Sequence, residues 1–365
     1  MQRIDLAWLE RAFELAEKGR YGVAPNPMVG AVLVRGGRVV GEGWHRRAGS
    51  PHAEAIALRR AGSSARGADL YLTLEPCVHQ GRTPPCAPRI VAAGVRRVVV
   101  AASDPNPIVS GRGLRALRRA GVEVVLAPEA WRRRAEEQNE IFRASVARGR
   151  PFVLAKWASS LDGRIADGNG ESRWITGEAA RRRALLLREE YDAVLVGART
   201  IAEDDPRLTR RLGLTKGRPH WKIVLDGRLS ASPAARVWSG PGERVLVTAV
   251  RPRAAAARRF ERLGVRIWTL RARDGRVDLR RLLSELGRHG VASLMVEGGA
   301  EALGSFFAAG LVDRVAAFVA PRVLGGAEAP AAVGGPGFAL TRTPRLSGVR
   351  VERLGGDLLV TGRVD

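Results

Sequence analysis

The stretch "RRVVVAASDPNPIVSGRGLRALRRAGVEVVLAP", residues 96–128, holds the pattern that decides the fold of the N-terminal half. "RRVVVAAS" is a short apolar run typical of a buried strand, and "GLRALRRAG" predicts a helix that ends at a glycine. "VEVVLAP" then predicts another strand. A strand, a helix and a strand in succession favour a largely parallel sheet covered by helices.

The same alternation continues toward the N-terminus. We predict a helix over residues 5–19, two strands within 29–45 joined by a turn at Gly36-Gly37, a helix over 52–62, a strand over 69–76 and a helix over 87–94. Toward the C-terminus, "PEAWRRRAEEQNEIFRASVARGRP" (128–151) predicts one charged helix, and Gly149 and Pro151 indicate a domain join. The expected domains are residues 1–148 and 149–365.

The second half repeats the α/β pattern over a longer stretch. Strands are expected in "PFVLAKWASS", "DAVLVGA", "HWKIVLDG", "RVLVTAV", "VRIWTL", "SLMVEGG" and "RVAAFVAP", with helices near 177–190, 253–263, 278–289 and 300–309. The chain then finishes in β structure, "SGVRVERLGGDLLVTGRV". The sequence therefore predicts two α/β domains.

The composition limits the classes of function. A chain of 365 residues with a formal net charge of +24 invites a nucleic-acid partner, but the basic residues are almost all arginines spread along the whole length. Arginine also binds phosphate in a bidentate manner, so a small anionic substrate fits equally well. No run of eighteen apolar residues predicts a membrane span, and the N-terminal amphipathic helix does not read as a secretion signal. We expect a cytoplasmic protein.

The two cysteines, Cys77 and Cys86, point to metal chemistry, because a large cytosolic chain rarely keeps a structural disulfide. Together with His52 they form a three-ligand set for tetrahedral zinc that leaves the fourth position to water. Glu54 lies two residues after His52 on the predicted helix, so the two side chains should project about 200° apart. We therefore expect Glu54 to carry protons to and from the activated water, as the catalytic residue, and not to bind the ion.

Zinc nucleobase deaminases share this arrangement, with a signature of H-x-E followed by P-C-x-x-C. Here H-A-E and P-C are present, but eight residues separate the two cysteines where the signature has two. "NPMVGAVLV", "HAE", "TLEPCVHQGRTPPC" and "SDPNPIVSGRGLRALRRAG" follow in this order. Over residues 4–148 the chain resembles the deaminase half of the RibD family, the bifunctional deaminase-reductases of riboflavin biosynthesis.

The resemblance implies a cytidine-deaminase-like α/β/α layer domain that acts on a phosphorylated pyrimidine. It also assigns substrate contacts, with Asp104 and Asn106 at the ribose phosphate end and Arg82 standing where many relatives have lysine. The implied deaminase substrate residues are Asn26, His45, His79, Arg82, Asp104 and Asn106. Taken singly, Asn26-Pro27 and the segment 104–107 are ordinary turn sequences.

The second half lacks G-x-G-x-x-G, so nothing supports a Rossmann dinucleotide site. It carries "KWASSLDGRIA", "GESRWITG", "DAVLVGARTIAEDDPRLT" and "LMVEGGAEALGSFF", the last being a strand, Gly298-Gly299 and a helix start, where phosphate can approach backbone N–H groups. Together these stretches resemble the reductase half of the RibD family, which has a dihydrofolate-reductase-like α/β fold.

That resemblance implies reduction of a ribosyl to a ribityl group by hydride from NADPH. The implied cofactor contacts are Ala158, Trp174, Thr200, Gly298 and Gly299. The implied substrate contacts are Lys156, Ser172, Arg188, Asp204, Leu208, Arg211 and Glu297. Gly227 stands where relatives commonly carry a serine that helps to hold the cofactor. No arginine can be assigned to the 2′-phosphate, so the sequence does not separate NADPH from NADH.

Three hypotheses follow. The leading one is a bifunctional enzyme that deaminates 2,5-diamino-6-(5-phosphoribosylamino)pyrimidin-4(3H)-one with zinc and then reduces the ribosyl group with NADPH. Its partners would be small phosphorylated pyrimidines, with no nucleic acid and no membrane, and a homo-oligomer is left open. The alternative is a nucleic-acid-editing zinc deaminase with a basic C-terminal binding module. A non-catalytic zinc protein would have no use for a carboxylate at Glu54.

Overall fold

A computed structural model of the protein describes residues 5–81, 83–215 and 217–365. The chain divides into two compact units, with the main boundary between Gly149 and Arg150. Each unit has its own sheet and its own hydrophobic core. No helix among the described residues combines the length and the apolar character needed to cross a membrane.

The first unit is built on a five-stranded sheet of order β2-β1-β3-β4-β5. Its strands are β1 (Gly30–Arg35), β2 (Arg38–Trp44), β3 (Asp69–Leu72), β4 (Arg97–Val100) and β5 (Glu123–Leu126). Its helices are α1 (Leu6–Glu17), α2 (Ala53–Ala61), α3 (Cys86–Ala92), α4 (Arg112–Arg119), α5 (Glu129–Gln138) and α6 (Glu140–Arg148).

The valine run of β4 shows why this sheet has helices on both faces. Val98 and Val100 pack into one core with residues of α2, α3 and α4, whereas Val99 packs on the opposite face with Leu9 and Phe13 of α1. All three valines are fully buried, and each such side chain contributes about 1.5–3 kcal/mol of burial free energy. The result is the α/β/α layering expected from the sequence.

The sheet is mixed, although the alternating pattern predicts a largely parallel one. β3–β4 and β4–β5 are parallel, but β1 is antiparallel to both β2 and β3. The reason is the connection through α2, after which β3 runs in the same direction as β2 but on the other side of β1. β1, joined to β2 by a tight turn with positive φ at Gly36 and Gly37, lies between them in the opposite direction.

The single helix predicted over 128–151 is two helices, α5 and α6, that meet at Asn139. This residue leaves the helical region, with φ −108° and ψ 26°. Its buried side chain accepts a hydrogen bond from the Met28 N–H at 2.7 Å and donates to the Met28 carbonyl at 2.9 Å. The break therefore ties the helical segment to the chain just before β1, a contact that the charge pattern does not reveal.

The second unit has nine strands in the order β10-β9-β8-β7-β11-β6-β12-β14-β13. They are β6 (Phe152–Ser160), β7 (Ala193–Gly197), β8 (Trp221–Leu225), β9 (Glu243–Thr248), β10 (Val265–Thr269), β11 (Ser293–Val296), β12 (Arg314–Ala320), β13 (Leu346–Leu354) and β14 (Asp357–Val364). Its helices are α7 (Glu178–Glu190), α8 (Ala198–Asp204), α9 (Ala254–Glu261), α10 (Leu279–Arg288) and α11 (Ala300–Ala308). The short helix α8 was not expected from the sequence.

The seven strands from β10 to β12 in the sheet order are all parallel. The C-terminal strands β14 and β13 complete the sheet on the other side of β12 and are antiparallel, in the region where the sequence predicts a C-terminal β segment. The chain runs outward from β7 to β10 and then returns to insert β11 between β7 and β6. In open α/β sheets ligands bind outside the carboxyl ends of the strands at such a reversal of order. A site is therefore expected at the carboxyl ends of β6, β11 and β7.

Candidate active sites

His52, Cys77 and Cys86 converge at one point of the first unit. The Nδ1 atom of His52 lies 3.6 Å from Cys77 Sγ and 3.4 Å from Cys86 Sγ. The three donor atoms all lie within 4.8 Å of one another. In a tetrahedral site with Zn–S near 2.3 Å and Zn–N near 2.05 Å, the N···S separation is about 3.6 Å. The spacing and chemistry of these donors therefore fit zinc.

The local fold explains this convergence. Cys86 is the first residue of α3, and the Cys77 carbonyl accepts from the N–H groups of both Cys86 and Ala87 at 3.1 Å, which closes the loop between the cysteines. Hydrogen bonds from Cys86 and His52 lower the pKa of Cys77, whereas the bond to Cys77 raises the pKa of Cys86, so Cys77 is the thiolate of the pair.

Thr83 orients the histidine ring. Its Oγ1 lies 3.0 Å from His52 Nε2, so an Nε2–H can donate to the hydroxyl and leave Nδ1 free to bind a metal. Thr83 was not predicted from the sequence, because a threonine in a loop carries no signal of this role.

Glu54 lies at the same site as the three ligands. The prediction that both residues lie on one helix and project about 200° apart is wrong. His52 is the N-cap of α2, with φ −70° and ψ 163°, and the helix begins only at Ala53. The 200° projection on a helix therefore does not apply to this pair. The Glu54 carboxylate accepts from the Cys86 thiol, its residue is 3% exposed, and burial raises its pKa.

Close packing of α2 on β2 sets the position of Glu54. A Cβ on Gly43 would lie 2.5 Å from the Ala53 carbonyl oxygen, so only glycine lets the start of the helix approach the strand this closely. The first turn of α2, and with it Glu54, is thereby held against the sheet.

Asn26 and His45 are brought together next to the ligand histidine. The His45 Nδ1–H donates to the Pro51 carbonyl at 3.3 Å, which leaves Nε2 to accept from the Asn26 amide at 3.0 Å. Burial lowers the pKa of His45 to about 4, so the ring is neutral near neutral pH. The His45 and His52 rings meet edge to face, with centroids 5.2 Å apart.

Asp104 and Asn106 form one turn, in which Asp104 Oδ1 accepts from the Asn106 N–H at 2.8 Å. Burial raises the pKa of Asp104 to about 6, and His79 opposes that rise through its electrostatic influence. The buried Nδ1 of His79 has no hydrogen-bond partner among the described residues, so it can receive a ligand group. Arg82 lies outside the described residues.

Glu75 holds the loops around this site together, a role that was not predicted from the sequence. This 4% exposed side chain accepts hydrogen bonds from four backbone N–H groups, at 2.9–3.3 Å: those of Asp104, Gly111, Gly113 and Leu114. It thus joins the segment before Cys77 to the turn of Asp104 and to the start of α4. The available signal was an acidic residue directly after an apolar strand in "LYLTLEP".

Three charged side chains of the second unit meet where the strand order reverses, those of Lys156, Arg188 and Glu297. Glu297 follows β11, and Lys156 lies at the same level on β6, since Val296 pairs with Ala155. The Lys156 Nζ lies 3.2 Å from Glu297 Oε1, and Arg188 Nε donates to Glu297 Oε2 at 3.1 Å. Glu297 lies 141 positions from Lys156 and 109 from Arg188 in the sequence, and the sheet brings it to both.

This cluster carries two cations against one carboxylate. Burial alone would raise the pKa of Glu297, but Arg188 and Lys156 outweigh it and lower the pKa to about 2. The three side chains are only 10–13% exposed. The excess positive charge fits a phosphorylated substrate.

The remaining four residues assigned to the reductase substrate lie on two segments. Ser172 Oγ donates to Asp204 Oδ1 at 3.3 Å, so these two are together. Leu208 as a whole is only 2% exposed. The Arg211 side chain is exposed.

The glycine pair after β11 lies against Thr200 of α8. Gly298 and Gly299 have φ of 142° and 76°, values that L side chains rarely adopt. A Cβ on Gly299 would lie 3.1 Å from Thr200 Oγ1. Gly299 is also the N-cap of α11 and offers no side-chain cap, so this backbone can approach a cofactor phosphate.

The other cofactor positions are spread along the same unit. Ala158 lies two residues beyond Lys156 on β6 and so faces the same side of the sheet. Trp174 is 64% exposed, with the Arg181 guanidinium 4.7 Å from its ring centroid. At Gly227 an added Cβ would meet no atom within 4 Å.

Two family models match the chain. The model described as the cytidine and deoxycytidylate deaminase zinc-binding region matches residues 2–102. The model described as the RibD C-terminal domain matches residues 151–360.

Full-length relatives are similar across both units. The riboflavin biosynthesis protein RibD of Aquifex aeolicus (strain VF5) is 39% identical over 361 residues, covering 99% of this chain and 98% of the relative. RibD of Escherichia coli (strain K12) is 41% identical over 332 residues, covering 88% and 89%.

Solved structures give the same result. Acinetobacter baumannii RibD, form 1, is 36% identical with a TM-score of 0.87, and 98% of each chain is covered. The Thermotoga maritima diaminohydroxyphosphoribosylaminopyrimidine deaminase/5-amino-6-(5-phosphoribosylamino)uracil reductase is 34% identical with a TM-score of 0.85, again over 98% of each chain. The chain therefore belongs to the RibD family of bifunctional deaminase-reductases of riboflavin biosynthesis, with a zinc deaminase domain followed by a reductase domain.

Proposed function

We propose that residues 1–148 deaminate the diaminopyrimidinone ribosyl phosphate named for the Thermotoga relative, and that residues 149–365 reduce the ribosyl group of the product. The observation that carries the proposal is the convergence of His52 Nδ1, two cysteine sulfurs and the buried Glu54 at one point. The partners are small pyrimidine substrates, and we propose a cytoplasmic location.

His52, Cys77 and Cys86 would hold zinc. When bound, zinc lowers the pKa of a coordinated water to about 7, so that the water can act as a nucleophile. Thr83 would fix the histidine ring in the tautomer that presents Nδ1.

Glu54 would move protons as the catalytic residue. Its burial favours uptake of a proton from the attacking water, and the same carboxyl can then donate that proton to the leaving amine. The accepted bond from Cys86 shows that its carboxylate reaches the ligand set.

The remaining deaminase residues would bind the substrate. Neutral His45 would orient Asn26 toward the pyrimidine, and the buried Nδ1 of His79, which has no hydrogen-bond partner among the described residues, would meet a polar group of the substrate. Asp104, Asn106 and Arg82 would contact the ribose phosphate end, with Glu75 holding the Asp104 turn in place.

In the reductase domain, NADPH supplies the hydride when bound. Gly298, Gly299 and Thr200 would form its backbone cradle, with Ala158 and Trp174 as further contacts. Lys156 and Arg188, oriented by Glu297, would bind the sugar phosphate with Ser172, Asp204, Leu208 and Arg211. No general acid or base stands out here, so we expect catalysis mainly through positioning.

The nucleic-acid-editing alternative is not favoured, because its basic C-terminal module is matched by the RibD C-terminal domain. The test is to incubate the purified chain with the diaminopyrimidinone ribosyl phosphate, with and without NADPH. We expect ammonia release in both cases and NADPH oxidation only after deamination. Absence of ammonia would overturn the deaminase assignment, and absence of NADPH oxidation the reductase assignment. Ammonia release from RNA or single-stranded DNA would restore the alternative.

A further inference from the structure

The segment between α8 and β8 carries two of the proposed substrate residues, and none of its described residues lies in a helix or strand. Asp204 ends α8, and Leu208 and Arg211 follow in an irregular stretch. Leu208 has φ 51°, the left-handed region that a leucine disfavours. Something outside the segment must hold this conformation.

His220 provides one constraint from outside the segment. It directly precedes β8, is 7% exposed, and its Nε2 lies 2.7 Å from the Leu208 carbonyl oxygen. A carbonyl only accepts, so Nε2 carries the proton. The other ring nitrogen, Nδ1, is buried and has no hydrogen-bond partner among the described residues. Among the described residues the His220 ring therefore makes a single hydrogen bond, to Leu208, and this bond requires the tautomer with the proton on Nε2.

Glu189 provides the second constraint. This carboxylate on α7 is fully buried, and its Oε1 accepts from the N–H groups of Arg211 at 3.1 Å and Leu212 at 2.8 Å. It neighbours Arg188, which contacts Glu297 in the proposed substrate site. The segment is therefore tied on both sides of Thr209 and Arg210 to elements that border the site.

We propose that His220 is a positioning residue of the reductase, which holds the Leu208 backbone in the conformation that binds the phosphorylated substrate; this inference rests on the proposed function. Leu208 is buried as a whole, and its N–H makes no hydrogen bond to another described residue, which makes it a buried donor that a ligand oxygen can satisfy. Fixing the carbonyl of Leu208 on His220 keeps that N–H, together with Asp204 and Arg211, in one arrangement for a phosphate or sugar oxygen.

The position of the donated proton makes the inference testable with three variants. A glutamine amide nitrogen can reach the place of histidine Nε2, an asparagine amide nitrogen reaches only the place of Nδ1, and leucine has no donor. His220→Gln should therefore keep the bond to Leu208, whereas His220→Asn and His220→Leu should lose it. His289→Gln, at an exposed histidine after α10, is the matched control.

The measurements are KM and kcat for reduction in the full chain, and binding of the ribityl phosphate product by calorimetry without NADPH. Loss of the bond should raise KM and the product Kd about tenfold, the effect of roughly one hydrogen bond, with kcat within about twofold. His220→Gln and His289→Gln should resemble the wild type. Ammonia release by the deaminase domain should be unchanged in all variants.

The positioning role would be overturned if KM and the product Kd rose equally in His220→Gln and His220→Leu. It would also be overturned by a fall in kcat with unchanged KM and Kd. If His220→Leu does not fold, the comparison of His220→Gln with His220→Asn decides the same question. A wild-type chain that oxidises no NADPH would instead mean that the proposed function fails, and the two failures are thereby distinct.

Discussion

The two sites satisfy their polar groups in opposite ways. In the deaminase site, His52, Cys77 and Cys86 bring three donor atoms within 4.8 Å of one another, the spacing of a metal site. In the reductase site, Lys156 and Arg188 already have their counter-charge in Glu297. The first arrangement is completed by a metal, and the second is organised before any ligand binds.

Because of this difference, a residue change in the first site should affect metal binding alone, whereas one in the second site should also affect stability. Substitution of one zinc ligand in the first site removes zinc but leaves no buried cation without its counter-charge. A missing partner in the second leaves two buried cations uncompensated, which costs stability as well as binding.

Cys86→Ser should abolish zinc binding and deamination. The loss should exceed the roughly 10⁴-fold upper range of a single acid–base group, because both the ion and its nucleophile are absent. Zinc is measured by atomic emission and deamination by ammonia release. NADPH oxidation with the deaminated substrate is the control and should persist; its loss would show that the two sites are not independent.

Glu54→Gln should keep zinc and lose deamination by about 10²–10⁴-fold, since the amide retains the shape but cannot carry the proton. The same two assays apply. Zinc content near that of the wild type is the decisive readout, because loss of the ion from this variant would contradict a role confined to proton transfer.

Glu297→Gln should destabilise the reductase unit by about 3 kcal/mol at neutral pH, since Lys156 and Arg188 lose their buried counter-charge. The folded-state pKa of Glu297 is lowered to about 2 from an ordinary 4.5. Its stabilising contribution is therefore full above about pH 4.5 and disappears as the pH falls toward 2.

Denaturant unfolding of wild type and variant at several pH values measures this contribution. The two stabilities should converge in acid and differ most near neutral pH. Equal stability at neutral pH would show that the ion cluster adds nothing to the fold. Ammonia release, which depends on the other unit, should be unchanged.

Gly227→Ser should give the smallest effect. An added Cβ meets no atom within 4 Å, so stability should change by less than about 0.5 kcal/mol. If this position contacts the cofactor, the restored hydroxyl should tighten NADPH binding about two- to tenfold, the range for one hydrogen bond. Fluorescence titration measures the Kd, and Gly227→Ala separates the hydroxyl from the Cβ. An unchanged Kd would place the cofactor elsewhere.

Much of the fold followed from local pattern. The valine run of β4, the helix that starts at Cys86 and the β finish all depend on short-range periodicity and on glycine or proline boundaries. The mixed order of the first sheet did not follow, because a crossover through α2 that skips over β1 is a property of long-range pairing. The break at Asn139 likewise depends on a contact 111 residues away.

The zinc site shows the same division within a few residues. The ligand types were readable, since H-A-E and two cysteines are chemically specific. The separation of His52 from Glu54 by helix geometry was wrong because the helix starts one residue later than the pattern predicts. Glu75 and Thr83 stayed unseen, since their roles are hydrogen bonds to residues that lie apart in sequence.

The two α/β units, the donor set for zinc and the family resemblance could all be predicted from the sequence, because they depend on residue identity and spacing along the chain. Only the tertiary structure decided which nitrogen of His52 faces the sulfurs, that Glu54 reaches the same point, and that Glu297 pairs with Lys156 and Arg188. The physical reason is that side-chain orientation and charge pairing are set by strand order and burial, which bring together residues that local periodicity cannot relate.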